Sequence, residues 1–469
     1  MGFMAKRLDR GDSVPDAIPL SVFERYMFAD DSPAYPMTIT VDATVEGLTA
    51  RELFEEALRR TLARHTLLQS TVDDSQPARP CWQYRPDLPV PVDWAGSTVP
   101  LNAPAPAWID LRTEPAVRIQ VRASETAARL VLQIHHAAVD GMGTVAFLAD
   151  LLACCRSLDA AAMRGGNLSP TCDETATPRN SSHLALRERF YPQGRELFCR
   201  LGMLPGSIWT GLKFSHLPPV PLGLPRQLEC LPPAEPLASV FTEILTEDST
   251  AALILRARRQ GGTVNDVLLC ELFQLMAEHV PGTGPRDRLR IGMPCNLRDK
   301  RDAQLPAANK VAISFLDRSR GTCRRPEDLL ASIQRETRRI RRRGRGLQLL
   351  EMLRLTAYFR RRQPLQVPGG ECGATTVLSN LGQIDHLLGP AGAGSSGENS
   401  PAGGPQLRSL TIVPNGRRGT AVVFFALTFR GRLRLTLWFD QRVLSPVAAA
   451  RLHRDYVARV QQCAAPLEP

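Results

Sequence analysis

Apolar and polar side chains alternate over residues 37–45, where Met37, Ile39, Val41, Ala43 and Val45 share one face, the period-two pattern of a half-buried strand. The period then changes. Leu53, Phe54, Ala57, Leu58 and Leu62 recur at helical spacing, and Thr49 followed by Glu52 predicts a capping-box start for that helix. Alternation returns over 116–122 and 129–134, which predicts a hairpin turning near 123–126. Residues 143–158 read as an apolar helix. A second patterned region opens near residue 240. There Thr263 caps a helix carrying Val264, Val267, Leu268, Leu272, Leu275 and Met276 on one face, strand candidates lie at 289–293 and 377–380, and a hairpin over 420–430 and 433–440 leads into a helix from Pro446.

The stretches between these elements set the predicted organisation. Residues 1–17 are polar and predict a flexible N-terminus, followed by a first lobe over 18–165. Residues 166–240 hold most of the proline clusters, including Leu217-Pro-Pro-Val-Pro-Leu-Gly-Leu-Pro225, and read as a crossover with one or two helices around 183–214. The second lobe covers 241–469, interrupted by a Gly/Ala/Ser/Pro-rich segment at 389–405 that predicts a flexible loop. No internal repeat of fixed period occurs. The pattern is α/β in the mixed-sheet (α+β) sense, with strands joined as antiparallel hairpins.

Composition narrows the class. The chain has 469 residues, 43% hydrophobic and 22% charged, which excludes a disordered or collagen-like chain. Its longest uncharged apolar run, Thr420-Ala-Val-Val-Phe-Phe-Ala-Leu-Thr-Phe429, is about half of the ~20 residues that a spanning helix needs. The N-terminal residues show no apolar signal region, so the expected location is cytoplasmic, with peripheral membrane contact as an option. The 11 cysteines are scattered with no C-x-x-C pair, and reduced thiols packed as small core residues are expected. The formal net charge is +11, almost wholly from arginine, and by itself it admits nucleic acid, an anionic membrane or a phosphorylated ligand.

The strongest candidate for chemistry is Ile134-His-His-Ala-Ala-Val-Asp-Gly141, between an alternating strand and a helix. Adjacent histidines on extended chain point to opposite faces, so one of the two can face a given cleft. An imidazole with an ordinary pKa near 6.5 suits a general base taking a proton from a hydroxyl or thiol. A metal site is not expected, because no third and fourth ligands stand at the short offsets that metal motifs use.

At these residues the sequence resembles the CoA-dependent acyltransferase superfamily, which includes chloramphenicol acetyltransferases, condensation domains of nonribosomal peptide synthetases, and bacterial wax ester synthase/diacylglycerol acyltransferases. The signature H-H-x-x-x-D-G is matched by His135, His136, Asp140 and Gly141. Asp31-Ser-Pro ahead of Pro36-Met37 is similar to the N-terminal segment of the wax-synthase branch. Arg64-His-Thr-Leu-Leu68, the segment from Asp110 to Arg118, Thr263-Val-Asn-Asp-Val-Leu-Leu269, Met293-Pro-Cys-Asn-Leu-Arg298 and Leu378-Ser-Asn-Leu-Gly382 resemble further motifs in the same order. The last of these is shorter than the Ser-Asn-Val-Pro-Gly-Pro form of the wax-synthase branch.

The resemblance implies two chloramphenicol-acetyltransferase-like lobes meeting at a central cleft or tunnel. It implies that His136 acts as general base for an acceptor hydroxyl that attacks an acyl thioester directly, without an acyl-enzyme. Asp140 would be structural and paired with Arg298 from the second lobe, and His135 a hydrogen-bonded packing residue. Gly141 and Asn380 are the candidate oxyanion donors, and Ser379 is a possible substrate contact. No permanently bound cofactor is implied. Acyl-CoA or an acyl carrier thioester would be the co-substrate, an alcohol or lipid the acceptor, and a carrier protein or an anionic membrane surface a possible partner. Two other readings stay open: a free-standing condensation-type domain with carrier-bound substrates, and a non-catalytic binding relative.

One further feature is the arginine run Arg338-Arg-Ile-Arg-Arg-Arg-Gly-Arg345 with Arg360-Arg-Arg362. It reads as a solvated helix face, or as a contact for CoA phosphates or anionic lipid in which Leu347, Leu349, Leu350, Leu353 and Leu355 form an apolar stripe. Nucleic acid is not an expected partner, since no aromatic platform accompanies the charge.

Overall fold

The fold is that of a computed structural model, and the residues it describes are 17–101, 108–163, 181–191, 193–223, 239–282, 284–343, 345–359, 372–389 and 404–464. The first half contains β1 (Ala17–Pro19), α1 (Val22–Asp30), β2 (Thr38–Glu46), α2 (Arg51–Arg64), β3 (Ser70–Asp73), β4 (Cys81–Tyr84), β5 (Val92–Gly96), β6 (Val117–Ala123), β7 (Ala127–His135), α3 (Gly141–Met163) and α4 (Glu196–His216). The second half contains β8 (Val240–Ile244), α5 (Glu247–Arg259), α6 (Val264–His279), β9 (Arg288–Asn296), β10 (Val311–Ser319), α7 (Arg320–Cys323), α8 (Pro326–Arg343), α9 (Gln348–Phe359), β11 (Thr376–Gln383), α10 (Asp385–Leu388), β12 (Gln406–Val413), β13 (Val422–Phe429), β14 (Arg432–Phe439) and α11 (Pro446–Ala464). They form a mixed α/β structure with sheets in the order β12-β2-β7-β6-β5, β10-β9-β11-β13-β14-β8 and β1-β4-β3.

Local sequence explains most of these elements. Along β2, Ile39, Val41, Ala43 and Val45 are buried as the alternation requires. The helix after it differs from expectation at its start. Ala50 occupies the N-cap of α2 with no side-chain cap. Thr49 therefore stands one residue too early for its hydroxyl to reach the third helical N–H, and the predicted capping box is absent. The Thr263 cap is present in full: its hydroxyl accepts from Asp266 N–H, and the Asp266 carboxylate accepts from Thr263 N–H. Helix α3 starts at Gly141, two residues earlier than the apolar pattern suggests.

Strand β13 explains how the two halves join. Every one of its residues is buried. Val422, Phe424 and Ala426 enter the core formed with α5, α6 and α11, whereas Phe425, Leu427 and Phe429 enter the core formed with α2, α3 and β7. Odd and even positions of one strand thus serve two cores. That is why the run over 420–429 is apolar throughout: it is a strand covered on both faces. A second link is β12, which comes from the later part of the chain yet pairs antiparallel with β2 in the sheet of the first half.

The arginine run lies on α8, where Arg338, Arg339, Arg341 and Arg342 are exposed while Leu329, Ile333 and Ile340 are buried, the solvated-face arrangement. Most of the leucine stripe is not at the surface, Leu355 being half-buried. Leu347, Leu349, Leu350 and Leu353 are buried in the core. Arg360, Arg361 and Arg362, and nearly all of the 389–405 loop, lie outside the described residues. The nine cysteines described as free include five that are buried. No helix among the described residues is long and apolar enough to cross a membrane.

Candidate active site

Two strands that part company open the site. Strand β11 runs parallel to β9 over only two residue pairs, Thr376–Ile291 and Val377–Gly292, and then follows β13 alone. Beyond the fork a cavity of about 110 Å³ is lined by His136, Asp140, Gly141, Met142, Arg298, Ser379 and Asn380, with Phe23 and Met27 of α1 on another wall. Every candidate site residue except His135 lines this one cavity.

The histidines occupy opposite environments, as strand geometry demands. His135 is fully buried, and its Nδ1 accepts a hydrogen bond from Ala137 N–H at 3.0 Å. That bond leaves its proton on Nε2, 3.5 Å from an Asp31 carboxylate oxygen. Asp31 also accepts from Met37 N–H at 2.7 Å and from Trp108 Nε1 at 2.5 Å. The acidic residue ahead of Pro36-Met37 therefore ties the N-terminal segment to the end of β7.

His136 is half-buried on the cavity side. Its backbone is pinned on both sides: its N–H donates to Met37 carbonyl at 2.6 Å, and its carbonyl accepts from Asn309 Nδ2 at 2.7 Å. The same Asn309 nitrogen donates to the Ala137 carbonyl. The ring Nδ1 is buried without a hydrogen-bond partner. Burial pushes the His136 pKa below its ordinary value, opposed by neighbouring carbonyls and by the Asp140 carboxylate. Burial thus favours the neutral form of the imidazole.

Asp140 does not present a free carboxylate to the cavity. One oxygen accepts from Gly143 N–H at 2.8 Å, capping α3. The other accepts from Arg298 Nη1 at 2.7 Å and from Lys310 N–H at 2.8 Å. Arg298 in turn donates to Ala308 carbonyl at 2.8 Å. The carboxylate thereby joins the start of α3 to the segment between β9 and β10. Gly143 makes this approach possible, since a Cβ there would stand 2.5 Å from Val139 Cγ2 and 2.9 Å from the Ala308 carbonyl oxygen.

Gly141 N–H opens α3, at the positive end of the helix dipole. Asn380 accepts from Gly382 N–H at 2.8 Å and donates to Asn265 Oδ1 at 3.3 Å. Asn265, at the first turn of α6, contacts Met293 Sδ through its amide. The three motifs of the second half thus converge at the cavity mouth. Sequence reasoning passed over Asn309, Lys310 and Gly143. Their only signal was position: the segment Leu305-Pro-Ala-Ala-Asn-Lys310 has no periodicity, and its role lies in backbone hydrogen bonds to a distant loop. No group of three or more His, Cys, Asp or Glu side chains able to hold a metal occurs among the described residues.

No protein-family model matches this chain, and no curated protein matches its sequence. Its shape does have relatives. The chain is similar to the epimerization domain from the third module of tyrocidine synthetase B, at 15% identity and a TM-score of 0.65, over 98% of this chain and 100% of that one. It is similar to a trichothecene 15-O-acetyltransferase from Fusarium sporotrichioides at 9% identity and a TM-score of 0.67, over 95% and 94% of the two chains. A third match is the first condensation domain of the calcium-dependent antibiotic synthetase in complex with a substrate analogue, at 15% identity, TM-score 0.64, over 96% and 97%. The chain therefore has, over nearly its whole length, the fold of condensation and epimerization domains and of an O-acetyltransferase.

Proposed function

We propose that the protein is an acyltransferase that moves an acyl group from a thioester to an acceptor hydroxyl, with His136 as general base. The observation that carries this reading is the placement of His136: an imidazole at the wall of a cavity, pinned through its backbone on both sides and flanked by an N–H at a helix start. With Nδ1 buried, Nε2 is the nitrogen open to an acceptor. It takes the hydroxyl proton as the oxygen attacks the thioester carbonyl carbon. The carbonyl oxygen becomes an oxyanion, for which Gly141 N–H and the Asn380 amide are the available donors, each such donor contributing about 3–4 kcal/mol in comparable sites. When the C–S bond breaks, the imidazolium returns its proton to the leaving thiolate, and a free thiol and an ester result. No cysteine is needed as a nucleophile. Asp140 and Arg298 hold the loop, His135 and Asp31 hold its approach, and Ser379 borders the substrate.

The donor is acyl-CoA or an acyl group on a carrier protein; a fold shared with condensation domains and with an O-acetyltransferase is compatible with both. The test is incubation with a panel of acyl-CoAs and of carrier-bound acyl thioesters together with alcohols, following thiol release and product mass. Ester formation that is lost in His136→Ala supports the reading, and the donor class that reacts decides between CoA and carrier. Transfer that persists in His136→Ala would remove His136 as the base, and a wild-type chain that transfers from no donor while its His136→Ala form performs equally in cells points instead to a binding relative.

A further inference from the structure

An exposed apolar face lies on α4, away from the arginine run of α8. Leu197, Phe198, Leu201, Ile208, Trp209 and Leu212 of this helix are all exposed, Phe198 at 80% and Trp209 at 59%. At about 100° per residue these six fall within an arc of roughly 120° on one side of the helix. Beside them Phe359, at the end of α9, is 79% exposed. Contiguous exposed apolar faces of this kind mark an interaction site.

The charge beside this face selects its occupant. Where α4 and α9 lie against α1, a cleft of about 690 Å³ is lined by Leu197, Leu201, Leu204 and Leu355 and by four arginines, Arg25, Arg79, Arg200 and Arg354. Its one acidic residue, Glu351, is already taken up by Tyr191 Oη at 2.8 Å, Arg200 at 3.2 Å and Arg354. Arg25 is half-buried and has no ion pair among the described residues, and burial lowers its pKa. Apolar anchors projecting outward beside four guanidiniums that face a single carboxylate match the layering of a bilayer surface, hydrocarbon beneath phosphate. A two-fold dimer through the same face would set each cationic cleft beside its copy and repel it.

We propose that the exposed face of α4, together with the end of α9 and the arginine-lined cleft beside them, docks onto a membrane surface rich in anionic lipid. The docked face also adjoins a second cavity. Trp209 and Lys213 line a second cavity of about 170 Å³ along with Ile313 and Phe315, and Ile313 lines the His136 cavity as well. Val311, Ile313 and Phe315 project from the same side of β10, so the two cavities follow one another along that strand. Delivery of a lipid chain along β10 rests on the acyl-transfer reading; docking itself does not.

The experiment is flotation of the full chain with vesicles of phosphatidylcholine alone and of phosphatidylcholine with phosphatidylglycerol. Binding to the second and not the first is expected, weakening as salt rises. Phe198→Glu with Trp209→Glu should abolish it without lowering the melting temperature, because both side chains are exposed. Arg79→Gln should weaken it about fivefold. The tryptophan emission should shift to the blue on binding in the wild type and not in Trp209→Phe. Equal binding to both vesicles, no binding to either, binding that survives the Phe198/Trp209 double change, or a vesicle-free dimer that this change dissociates would each overturn the proposal. Vesicle binding without acyl transfer would leave docking intact and count against the proposed function alone.

Discussion

A half-buried imidazole resists protonation, and that fact sets the expected pH behaviour of the site. The His136 pKa is lowered, with burial as the main cause, so the base form persists as pH falls past the ordinary histidine range. The acid limb of kcat/KM should therefore lie below pH ~6.5. A limb at or above that value would show that a different group is titrating. The sign for stability agrees: below pH ~6.5 the unfolded chain takes up a proton that native His136 does not, so this residue makes stability fall as pH falls. The same geometry separates His136 from Asp140. The hydrogen bonds that hold His136 in place run through its backbone, so His136→Ala leaves them intact; turnover should fall by about 10²–10⁴ with the melting temperature kept. Asp140 holds Arg298, Lys310 N–H and Gly143 N–H at once. Asp140→Ala should cost about 3–5 kcal/mol in urea unfolding, because a guanidinium only 16% exposed loses its counter-charge. Equal loss of stability in the two variants would remove the division of roles.

Among elements, legibility followed the regularity of the period. Strand β2, the β6–β7 hairpin, α6 and α11 could be read because one period held from end to end. Strand β12 could not: its register shifts between Leu407 and Ser409, so the buried residues Leu407, Leu410 and Ile412 keep no alternation. The cap of α2 was misread because Thr49-x-x-Glu52 fits the motif one residue out of phase with a helix that begins at Arg51. The His-His-x-x-x-Asp-Gly segment stood out as a candidate site since its residues are consecutive. Its supports could not, since Asn309 and Lys310 act over 170 positions through backbone contacts. Helix α3 gives this a test. A methyl at Gly143 would press on Val139 and on the Ala308 backbone, whereas one at Gly141 meets only the flexible Leu381 side chain at 3.0 Å. Gly143→Ala should therefore destabilise the protein by about 1–3 kcal/mol, and Gly141→Ala by less, as differential scanning calorimetry would show. The reverse order would mean that α3 can shift away from the 305–310 segment at little cost.

At the scale of the whole molecule, two halves that meet at a cleft could be expected to unfold separately, yet the strand parities argue for one cooperative unit. Phe425, Leu427 and Phe429 of β13 belong to the core of the first half, and Val422, Phe424 and Ala426 to that of the second. The strand cannot leave one core without leaving the other. Polar contacts reinforce this: Tyr35 Oη donates to Asp440 at 3.0 Å, and Arg442 donates both to Asp440 at 2.7 Å and to the Ala34 carbonyl at 2.9 Å. These bonds carry the N-terminal segment, with the α1 residues that wall the His136 cavity, onto the end of β14. Thermal or urea unfolding should accordingly show one transition by every probe. Phe425→Ala, which opens a void in the first-half core only, should cost about 3–5 kcal/mol and move that single midpoint for reporters in both halves alike. If hydrogen exchange instead showed α5, α6 and α11 keeping their protection while α2 and α3 lost theirs, β13 would be a seam between independent units, and the geometry of the cleft would depend on their docking and not on shared cores.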